Sequence, residues 1–417
     1  MTVREDAQYI IKRVLDDARP NAATARVLRD INFTGKIYLV AVGKAAWEMA
    51  KEACGILGDR ITAGAVVTKY GHSGGSLGGL EIFEAGHPLP DENSCAAAEK
   101  ILSMVGKLNK DDTVLFLLSG GGSALFELPL IDIGELSGIN RELISCGADI
   151  VEINTVRKRL SAVKGGRFAL ACAPARVCSI ILSDIIGDPV DMIASGPTAP
   201  DTSTCSQALE IVKKYGLTLS EKALALLGTE TPKELENTEN HIIGGVRLLC
   251  ASAAKAAKEL GYNTSILTTS LCCHAREAGS FLASAAACAQ TLKHSAAFIL
   301  GEETVVNVTG SGLGGRNQEL ALAAGLGISG LRDTAVFSVG SDGTDGPTDA
   351  AGGFVDGETV SALNAAGVDG AAMLDNNDAY HALDACGGLI KTGPTGTNMN
   401  DFTVLLIKRQ PPDTAQL

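Results

Sequence analysis

The chain has 417 residues, enough for two or three domains, and its 46% hydrophobic and 20% charged residues exclude an intrinsically disordered protein. The formal net charge of −13 argues against nucleic acid or an anionic membrane as the main partner. The net charge does not exclude small anionic ligands, because a local cluster of Lys and Arg can reverse the electric field inside a cleft.

The first residues, MTVREDAQYIIKRVL, have the pattern of an amphipathic helix and lack the apolar segment of a signal peptide. No run approaches the ~18 apolar residues that a membrane span needs. We therefore expect a cytoplasmic protein without a membrane partner. The 11 cysteines are odd in number and contain no CxxC pair, so we expect buried apolar residues and no structural zinc.

Short apolar, β-branched runs alternate with helix-length segments along the whole chain. The predicted strands cover 36–42, 63–69, 80–85, 113–119, 177–183, 244–250, 263–269, 296–301, 304–310, 334–340 and 402–408. The predicted helices cover 44–57, 92–106, 133–145, 149–164, 251–260 and 274–292. This alternation predicts an α/β fold with parallel sheets that helices cover on both faces.

The polar, acidic stretch TETPKELENTEN at 229–240 has the composition of a linker or surface loop. It divides the chain into predicted domains of residues 1–238 and 239–417. Each half has a glycine-rich strand end followed by an Asp-Gly-Pro-rich strand end, which suggests duplication, although α/β proteins generally use these residues in turns. Open α/β sheets bind ligands at the carboxyl ends of their strands, so we expect these loops around one cleft.

The stretch LLSGGGSAL places three glycines between two serines, directly after an apolar strand. Bare backbone N–H groups at a helix start can bind an anion, and the flanking hydroxyls can add to that binding. The pattern is neither GxGxxG nor GxxxxGK[ST]. We predict that phosphate binds to Ser119, Gly120, Gly121, Gly122 and Ser123; the alternative is a tight strand–helix turn.

Lys44, in VAVGKAAWEMA, falls at the expected first turn of a helix. A lysine there opposes the helix dipole at a cost of up to ~1 kcal/mol. An anion bound between the lysine and the helix end would explain that position. The alternative is a solvated lysine that extends past Trp47.

The segment EINTVRKRLSAVKGGR predicts a helix with a polar stripe formed by Asn154, Arg157, Ser161 and Lys164. Most such stripes are solvated faces. In a chain of net negative charge, this cationic stripe is also a candidate lining for an anion site. We predict that Asn154, Arg157 and Lys164 contact phosphate or substrate.

The stretch GSGLGGRNQEL places Arg316 at the start of a predicted helix, after a glycine-rich segment. A planar guanidinium at a helix N-terminus can hold phosphate or carboxylate in a bidentate manner. The alternative is a flexible loop with an ordinary exposed arginine. We predict that Gly314, Gly315 and Asn317 contact the same anion.

Aspartates follow strands in SDIIGDPVD and in GSDGTDGPTDAAGG. Carboxylates there can hold Mg²⁺ together with substrate phosphates, or accept a proton from a hydroxyl; the alternative is turn capping. The first stretch begins like a calcium loop but lacks its glutamate at position twelve, so no dedicated calcium site is expected. We predict Asp184, Asp342 and Asp345 as metal ligands and Asp188 as a catalytic residue.

His87, in EAGHPLPDE, follows a strand and is either a cleft residue or a turn residue. No GxSxG elbow occurs, so a Ser–His–Asp hydrolase has little support.

Glycine loops, cations at helix starts and aspartates at strand ends match what phosphoryl transfer needs. Hydride transfer would require a dinucleotide fingerprint. The residues alone predict a kinase-like enzyme for a small anionic substrate.

From about Val40 to Leu405 the chain resembles, in order, the glycerate 2-kinases of the MOFRL type. The motifs that carry the resemblance are VAVGKAA, EAGHPLPDE, LLSGGGSAL, INTVRKRLSAVKGGR, LSDIIGDPVDMIASGPT, TGSGLGGRNQELAL and SVGSDGTDGPTDAAGG. The resemblance implies a larger Rossmann-like αβα N-terminal domain, a smaller α/β MOFRL domain and an active site in the cleft between them. It implies phosphorylation of D-glycerate to 2-phosphoglycerate with ATP and Mg²⁺.

The resemblance also assigns residues. The family's important lysine matches Lys44, its important arginine matches Arg316, and the GGGS loop resembles its phosphate-binding loop. We expect in-line transfer in which Lys44 and Arg316 neutralise the phosphoryl group or one of them holds the glycerate carboxylate. Asp188 or Asp342 would hold Mg²⁺ or accept the substrate proton.

Two alternative functions are not excluded, an NAD(P)H-dependent hydroxypyruvate reductase and a non-catalytic small-anion binding protein. A homodimer is one expectation for the oligomeric state.

Overall fold

A computed structural model describes residues 2–183, 189–397 and 399–409. Their contacts group them into two compact units. The N-terminal unit consists of residues 23–183 and 189–243, and the C-terminal unit consists of residues up to 22 together with those from 244 onward. No helix in the described ranges is both long and apolar enough to cross a membrane.

The N-terminal unit contains a sheet of six parallel strands, in the order β3-β2-β1-β4-β5-β6. The strands are β1 (Ile37–Val42), β2 (Ile61–Lys69), β3 (Glu81–Ala85), β4 (Thr113–Leu118), β5 (Arg176–Ile181) and β6 (Thr238–Ile242). The chain moves outward from β1 to one edge, then returns to β4 and moves to the other edge. The strand order therefore reverses between β1 and β4, the position where open α/β sheets bind ligands.

Ten α-helices are described before residue 244, and several begin at side-chain caps. They are α1 (Val3–Asp17), α2 (Pro20–Leu28), α3 (Ala46–Leu57), α4 (Glu92–Val105), α5 (Gly122–Leu125), α6 (Ile133–Ser145), α7 (Ile150–Arg159), α8 (Arg167–Cys172), α9 (Cys205–Tyr215) and α10 (Glu221–Leu227). Asp149 caps α7 in a capping box with Glu152, which satisfies N–H groups that a helix start leaves unpaired. Helices α6, α7, α9 and α10 share an apolar cluster that includes Leu136, Val156 and Leu227.

The C-terminal unit contains a mixed sheet in the order β11-β10-β9-β12-β8-β7. Its strands are β7 (Asn263–Leu271), β8 (Ala296–Glu302), β9 (Thr334–Gly340), β10 (Gly352–Asp356), β11 (Leu389–Ile390) and β12 (Asp401–Ile407). Its further helices are α11 (Val246–Glu259), α12 (Ala275–Ala289), α13 (Arg316–Gly327), α14 (Thr359–Ala365), α15 (Gly370–Asp375) and α16 (Ala379–Ala385). Strands β7 and β8 are parallel, whereas β12 runs antiparallel to both β8 and β9.

The first helix belongs to the C-terminal unit. The buried carboxylate of Asp6 accepts a hydrogen bond from Tyr262 Oη at 2.6 Å and pairs with Lys408 Nζ at 2.6 Å. At the other boundary, β6 completes the parallel sheet with residues beyond 238. A division into 1–238 and 239–417 differs from the observed grouping at both places, because strand pairing and helix docking reach across it.

The structure confirms the α/β class and corrects several local predictions. Residues 244–250 begin helix α11, since Val246, Leu249, Cys250 and Ala253 are buried with helical spacing. Residues 304–310 form no strand beyond a single bridge at Val305. The acidic stretch 229–240 contributes to edge strand β6, and the second sheet is mixed where a parallel sheet was predicted. Strands β10 and β11 were not predicted.

Candidate active site

The loops after β1 and β4 meet at the switch point and are hydrogen-bonded to each other. We call Ser119–Ser123, after β4, the glycine loop. Ser119 Oγ accepts a hydrogen bond from the Ala45 N–H at 3.0 Å, and the Lys44 N–H donates to the Gly120 carbonyl at 2.9 Å. The Ser119 hydroxyl, predicted to bind phosphate, is buried and fixes the neighbouring loop.

Gly121 explains why the glycine loop carries so little side chain. Its φ of +86° lies in the left-handed region that favours glycine. A Cβ there would lie 3.0 Å from Cδ2 and 3.2 Å from Nε2 of His87, and 3.3 Å from Cγ of Lys44. At Gly122, a Cβ would lie 2.9 Å from that of Ala194. The loop therefore carries glycines because neighbouring side chains fill the space where a Cβ would stand. The helix that follows it, α5, has only four residues.

Lys44 is an exposed cation beside this loop. Among the described residues, no carboxylate lies within 4.0 Å of its ammonium group. Its backbone is nevertheless fixed through Gly120. An anchored lysine without a carboxylate partner can offer its full charge to an anionic ligand.

Lys164 was predicted on the polar stripe of a helix ending at residue 164, but α7 ends at Arg159. The chain then turns to pair with the segment before it, where the Ala162 N–H donates to the Leu128 carbonyl at 2.8 Å. Lys164 is fully buried, and its Nζ donates to the carbonyls of Ser123 at 2.8 Å and Phe126 at 3.0 Å. It therefore supports the glycine loop from inside.

Glu127 Oε2 lies 3.4 Å from the Lys164 ammonium and is itself buried. Burial lowers the pKa of Lys164, and the Glu127 carboxylate acts in the opposite direction. The ammonium and carboxylate thus form a desolvated pair under the loop, whose loss would leave one charge unpaired.

Two other residues of the predicted stripe remain on α7. Asn154 is buried, and its Oδ1 accepts a hydrogen bond from Ser195 Oγ at 2.8 Å. Arg157 is half-buried and donates through Nε to Asn140 Oδ1 at 3.3 Å. Burial lowers the pKa of Arg157, and no carboxylate of the described chain lies within ion-pair distance of it. Among the residues of the predicted stripe, Arg157 is therefore the best candidate to bind an anion, because no carboxylate of the described chain is paired with its guanidinium.

In the C-terminal unit, α13 begins at Arg316, as predicted. Arg316 Nε donates to Asp401 Oδ2 at 2.5 Å, and Nη1 lies 3.6 Å from Glu303 Oε1. The side chain lines a cavity of about 710 Å³ together with Asp342 and Asp401. Arg316 is thus held by carboxylates, and 33% of its side chain remains exposed.

Asp345, predicted as a metal ligand, caps α13. Its Oδ1 accepts from the Asn317 N–H at 3.2 Å, and its Oδ2 accepts from the Gln318 N–H at 2.9 Å. The Asn317 amide is buried, donating to Asp345 and accepting from Ser338 Oγ at 2.5 Å. A Cβ on Gly315 would lie 2.3 Å from the Asp345 carboxyl group, so the glycine admits this cap. The helix N-terminus is consequently occupied by an internal carboxylate.

Asp401 and Glu302 form a buried acidic pair at the adjacent ends of β12 and β8. Burial raises the pKa of Asp401 to about 7, although the Arg316 guanidinium lowers it. Burial also raises the pKa of Glu302, whose Oε1 accepts from Ser338 Oγ at 3.1 Å and from Thr403 Oγ1. The site therefore contains two carboxyl groups whose pKa values burial raises above their ordinary range.

Sequence reasoning missed Asp401, Glu302 and Glu303 as neighbours of Arg316. Asp401 was missed because the prediction of parallel sheets places ligand-binding residues at the carboxyl ends of strands, whereas Asp401 begins β12. Because β12 is antiparallel, its first residue, Asp401, lies opposite Gly340 at the end of β9. The acidic pair in GEET at the end of β8 was a signal that could have been used. The predicted Asp184 and Asp188 lie outside the described residues.

Gly314 and Asp342, predicted as an anion contact and a metal ligand, both line the cavity of the C-terminal unit. Asp342 is half-buried, and its Oδ1 accepts from the Thr344 N–H at 2.9 Å in an Asx turn. No cation of the described chain pairs with its carboxylate. Asp342 therefore keeps an oxygen that is free to bind a metal ion.

One further cluster of ligand-type atoms occurs among the described residues, formed by Cys178, Glu239 and His241. Glu239 is paired with Arg176. Burial raises the pKa of the Cys178 thiol to about 11. A protonated thiol and a carboxylate paired with arginine both oppose metal binding, so we assign no metal to this cluster.

The chain is similar to known proteins over nearly its whole length. Residues 6–228 match a family described as a domain of unknown function (DUF4147), and residues 296–401 match the MOFRL family. The chain is 52% identical to a D-glycerate 2-kinase of Thermotoga maritima, over 97% of this chain and 99% of that protein. A relative from Agrobacterium vitis that carries the name hydroxypyruvate reductase is 38% identical, with coverage of 96% and 94%. A crystal structure of a glycerate kinase from Thermotoga maritima matches with a TM-score of 0.93 and 51% identity, covering 97% of this chain and 99% of that one.

Replacing Lys164 with methionine should destabilise the N-terminal unit, because the buried Glu127 carboxylate loses its cation. We expect the free energy of unfolding in urea to fall by about 3–5 kcal/mol. Adding Glu127→Leu should restore much of the loss, since the remaining buried charge is then gone. Lys12→Met, at a side chain that is 77% exposed, is the control and should change stability by less than about 0.5 kcal/mol. A Lys164→Met variant as stable as the parent would contradict this account.

The raised pKa of Asp401 predicts a pH-dependent stability difference between the parent protein and Asp401→Asn. Between the ordinary aspartate pKa of 3.8 and about 7, the folded parent holds a proton that its unfolded chain has released. The contribution of Asp401 is thus fully present below pH 3.8 and is lost as pH rises to about 7. Urea denaturation from pH 4 to 8 should show the parent losing stability relative to Asp401→Asn. A difference that stays constant or grows in favour of the parent would disprove the raised pKa.

Proposed function

Because the chain belongs to the glycerate 2-kinase family of MOFRL proteins, we propose that it transfers the γ-phosphoryl group of ATP to the 2-hydroxyl of D-glycerate, with Mg²⁺, forming 2-phosphoglycerate. The observation that carries the proposal is Lys44, an anchored lysine to which no carboxylate of the described residues is paired, beside three glycines at the switch point of a parallel sheet. A concentrated positive charge beside a loop without side chains suits a phosphate group.

In this proposal the N-terminal unit binds and neutralises phosphate. The Lys44 ammonium contacts oxygens of the transferred group, where charge redistributes as the bond to the leaving phosphate breaks. The carbonyls of Ser123 and Phe126 are bound by Lys164, so they are turned away from an incoming anion. Arg157 is a further candidate cation of this unit, since it donates to Asn140 through Nε and no carboxylate of the described residues is paired with its guanidinium.

Arg316 has a different role. Its Nε and Nη1 face Asp401 and Glu303, which fixes the plane of the guanidinium. The remaining N–H groups can donate to a substrate oxygen, and a planar fork selects carboxylate or phosphate geometry. We assign it to hold the glycerate carboxylate or the transferred phosphoryl group.

The residues present fit a magnesium ion. Mg²⁺ in nucleotide sites is held by one or two carboxylates together with phosphate oxygens. Asp342 meets this requirement, because its turn fixes the side chain and no cation among the described residues is paired with it. Asp345 fits less well, because both of its oxygens cap α13. When bound, Mg²⁺ neutralises phosphate charge during transfer.

The reductase alternative has one supporting observation, since the strand order β3-β2-β1-β4-β5-β6 is that of dinucleotide-binding sheets. Those sheets carry GxGxxG after the first strand, so that the backbone can approach the pyrophosphate. Here that position reads GKAAWE, with the Lys44 side chain in the loop. This departure favours a phosphate-neutralising site over a bound dinucleotide.

The proposed function predicts ADP release that depends on ATP, Mg²⁺ and D-glycerate together. A coupling mixture with enolase but without phosphoglycerate mutase would respond to 2-phosphoglycerate and not to the 3-isomer. NADH oxidation with hydroxypyruvate should stay at background in parallel. ADP release that needs no glycerate, or hydride transfer without ADP release, would refute the assignment.

Lys44→Met and Arg316→Met should each lower kcat/KM for glycerate by about 10²- to 10³-fold, because each removes a preorganised charge. Arg316→Lys should recover only part of the loss, since an ammonium cannot replace the planar fork. Lys51→Met is a matched control. Lys51 lies on α3, the helix that begins just after Lys44, and its ammonium group lies 5.0 Å from the centre of the Trp47 ring. Near-parental kcat/KM in either methionine variant would remove that residue from the site.

A further inference from the structure

His87 lies beside the glycine loop although it follows β3, the edge strand of the parallel sheet. The chain between β3 and α4 brings its ring back toward the end of β4. His87 Cδ2 and Nε2 lie 3.0 and 3.2 Å from the point where a Cβ of Gly121 would stand. The Lys44 side chain borders the same point at 3.3 Å. The His87 imidazole and the stem of the Lys44 side chain thus both border the bare loop at Gly121.

The segment that carries His87 is held by specific contacts. Asp91 caps α4, where its Oδ1 accepts from the Ser94 N–H at 2.9 Å. Its Oδ2 accepts from Tyr70 Oη at 2.7 Å, and the Gly86 N–H also donates to this carboxylate. A Cβ on Gly86 would lie 2.7 Å from the Leu89 carbonyl, so the backbone closes tightly around the histidine. The ring position is built into the fold.

The charged surroundings favour a neutral ring. Within the described chain, neither ring nitrogen of His87 has a hydrogen-bond or carboxylate partner. Burial lowers the pKa of His87, and the charges of Lys44, Lys69 and His72 lower it further. The nearby carboxylates are already engaged, Asp91 as described and Glu84 with the N–H groups of Gly71 and Ser73 at 3.1 Å. At neutral pH one ring nitrogen therefore keeps a free lone pair.

We propose that His87 is the general base of the phosphoryl transfer. The hydroxyl proton of the acceptor passes to the imidazole, while its oxygen forms a bond to the γ-phosphorus. The bond from that phosphorus to the bridging oxygen breaks, and its electron pair leaves with ADP. The imidazolium then releases the proton to water. This step rests on the proposed function and gives a residue to the role that Asp188 or Asp342 was expected to fill.

Lys44 links phosphate binding to the strength of this base. In the free protein its charge disfavours protonation of His87. A bound phosphate next to Lys44 compensates that charge, so the imidazole becomes more basic when ATP is present. The acidic limb of kcat, which reports the ternary complex, should therefore lie at higher pH than that of kcat/KM, which reports the free enzyme.

The test compares the full-length parent with His87→Gln, and with His294→Gln as a control at an exposed histidine. We expect His87→Gln to lower kcat by about 10²- to 10⁴-fold and to lose the acidic limb of kcat. The Kd for MgADP should stay within about threefold, because the residue acts on the hydroxyl. In His87→Ala, added imidazole should restore part of kcat. His294→Gln should match the parent in both limbs.

A His87→Gln variant that keeps kcat within about threefold, or keeps the acidic limb, overturns the proposal and returns the role to a carboxylate. If the variants fail to fold by circular dichroism, the parent still decides: a kcat limb at or below the kcat/KM limb contradicts the assignment. Failure of the proposed function looks different, because the parent itself would then release no ADP with glycerate.

Discussion

The two hydrogen bonds that join the loop after β1 to the loop after β4 are the constraint on which the N-terminal site depends. They place Lys44 next to Gly120 at the point where the strand order reverses. Without them the lysine would be one mobile surface cation among many. With them, the backbone that carries its charge is fixed before any ligand arrives, which reduces the entropic cost of binding.

The two units solve the problem of holding a cation in opposite ways. Lys44 has a fixed backbone, and no carboxylate of the described ranges is paired with its ammonium group, so its charge is available to a ligand. Arg316 has a guanidinium fixed by carboxylates, so much of its charge is compensated while its geometry is defined. The first arrangement attracts an anion strongly, and the second selects an anion whose oxygens match the planar guanidinium. A kinase for a small hydroxy acid needs both, since it must attract phosphates and orient a carboxylate.

The sequence predicted correctly that a helix begins at Arg316, because a glycine-rich segment directly precedes it. Lys44 was expected in the first turn of a helix covering 44–57, whereas α3 begins at Ala46, so Lys44 lies two residues before the helix. The sequence did not show in which direction the buried polar side chains point. Lys164 and Asn317 face inward, because backbone carbonyls and a capping carboxylate compete for them with any ligand. The antiparallel insertion of β12 was equally hidden, since strand direction depends on pairing between distant segments.

The crowding at Gly121 has a consequence for how such a protein can change. A side chain there would meet the ring of His87 and the stem of Lys44 at once, and it would also need a backbone conformation that suits glycine. The fitness effects of substitutions at these three positions should therefore be strongly interdependent. The constraint has a direction: a side chain at Gly121 needs room from both neighbours and a strained backbone, whereas a smaller residue at His87 or Lys44 demands no change at the glycine. Gly121 is therefore the position of the three that geometry alone protects against gradual drift.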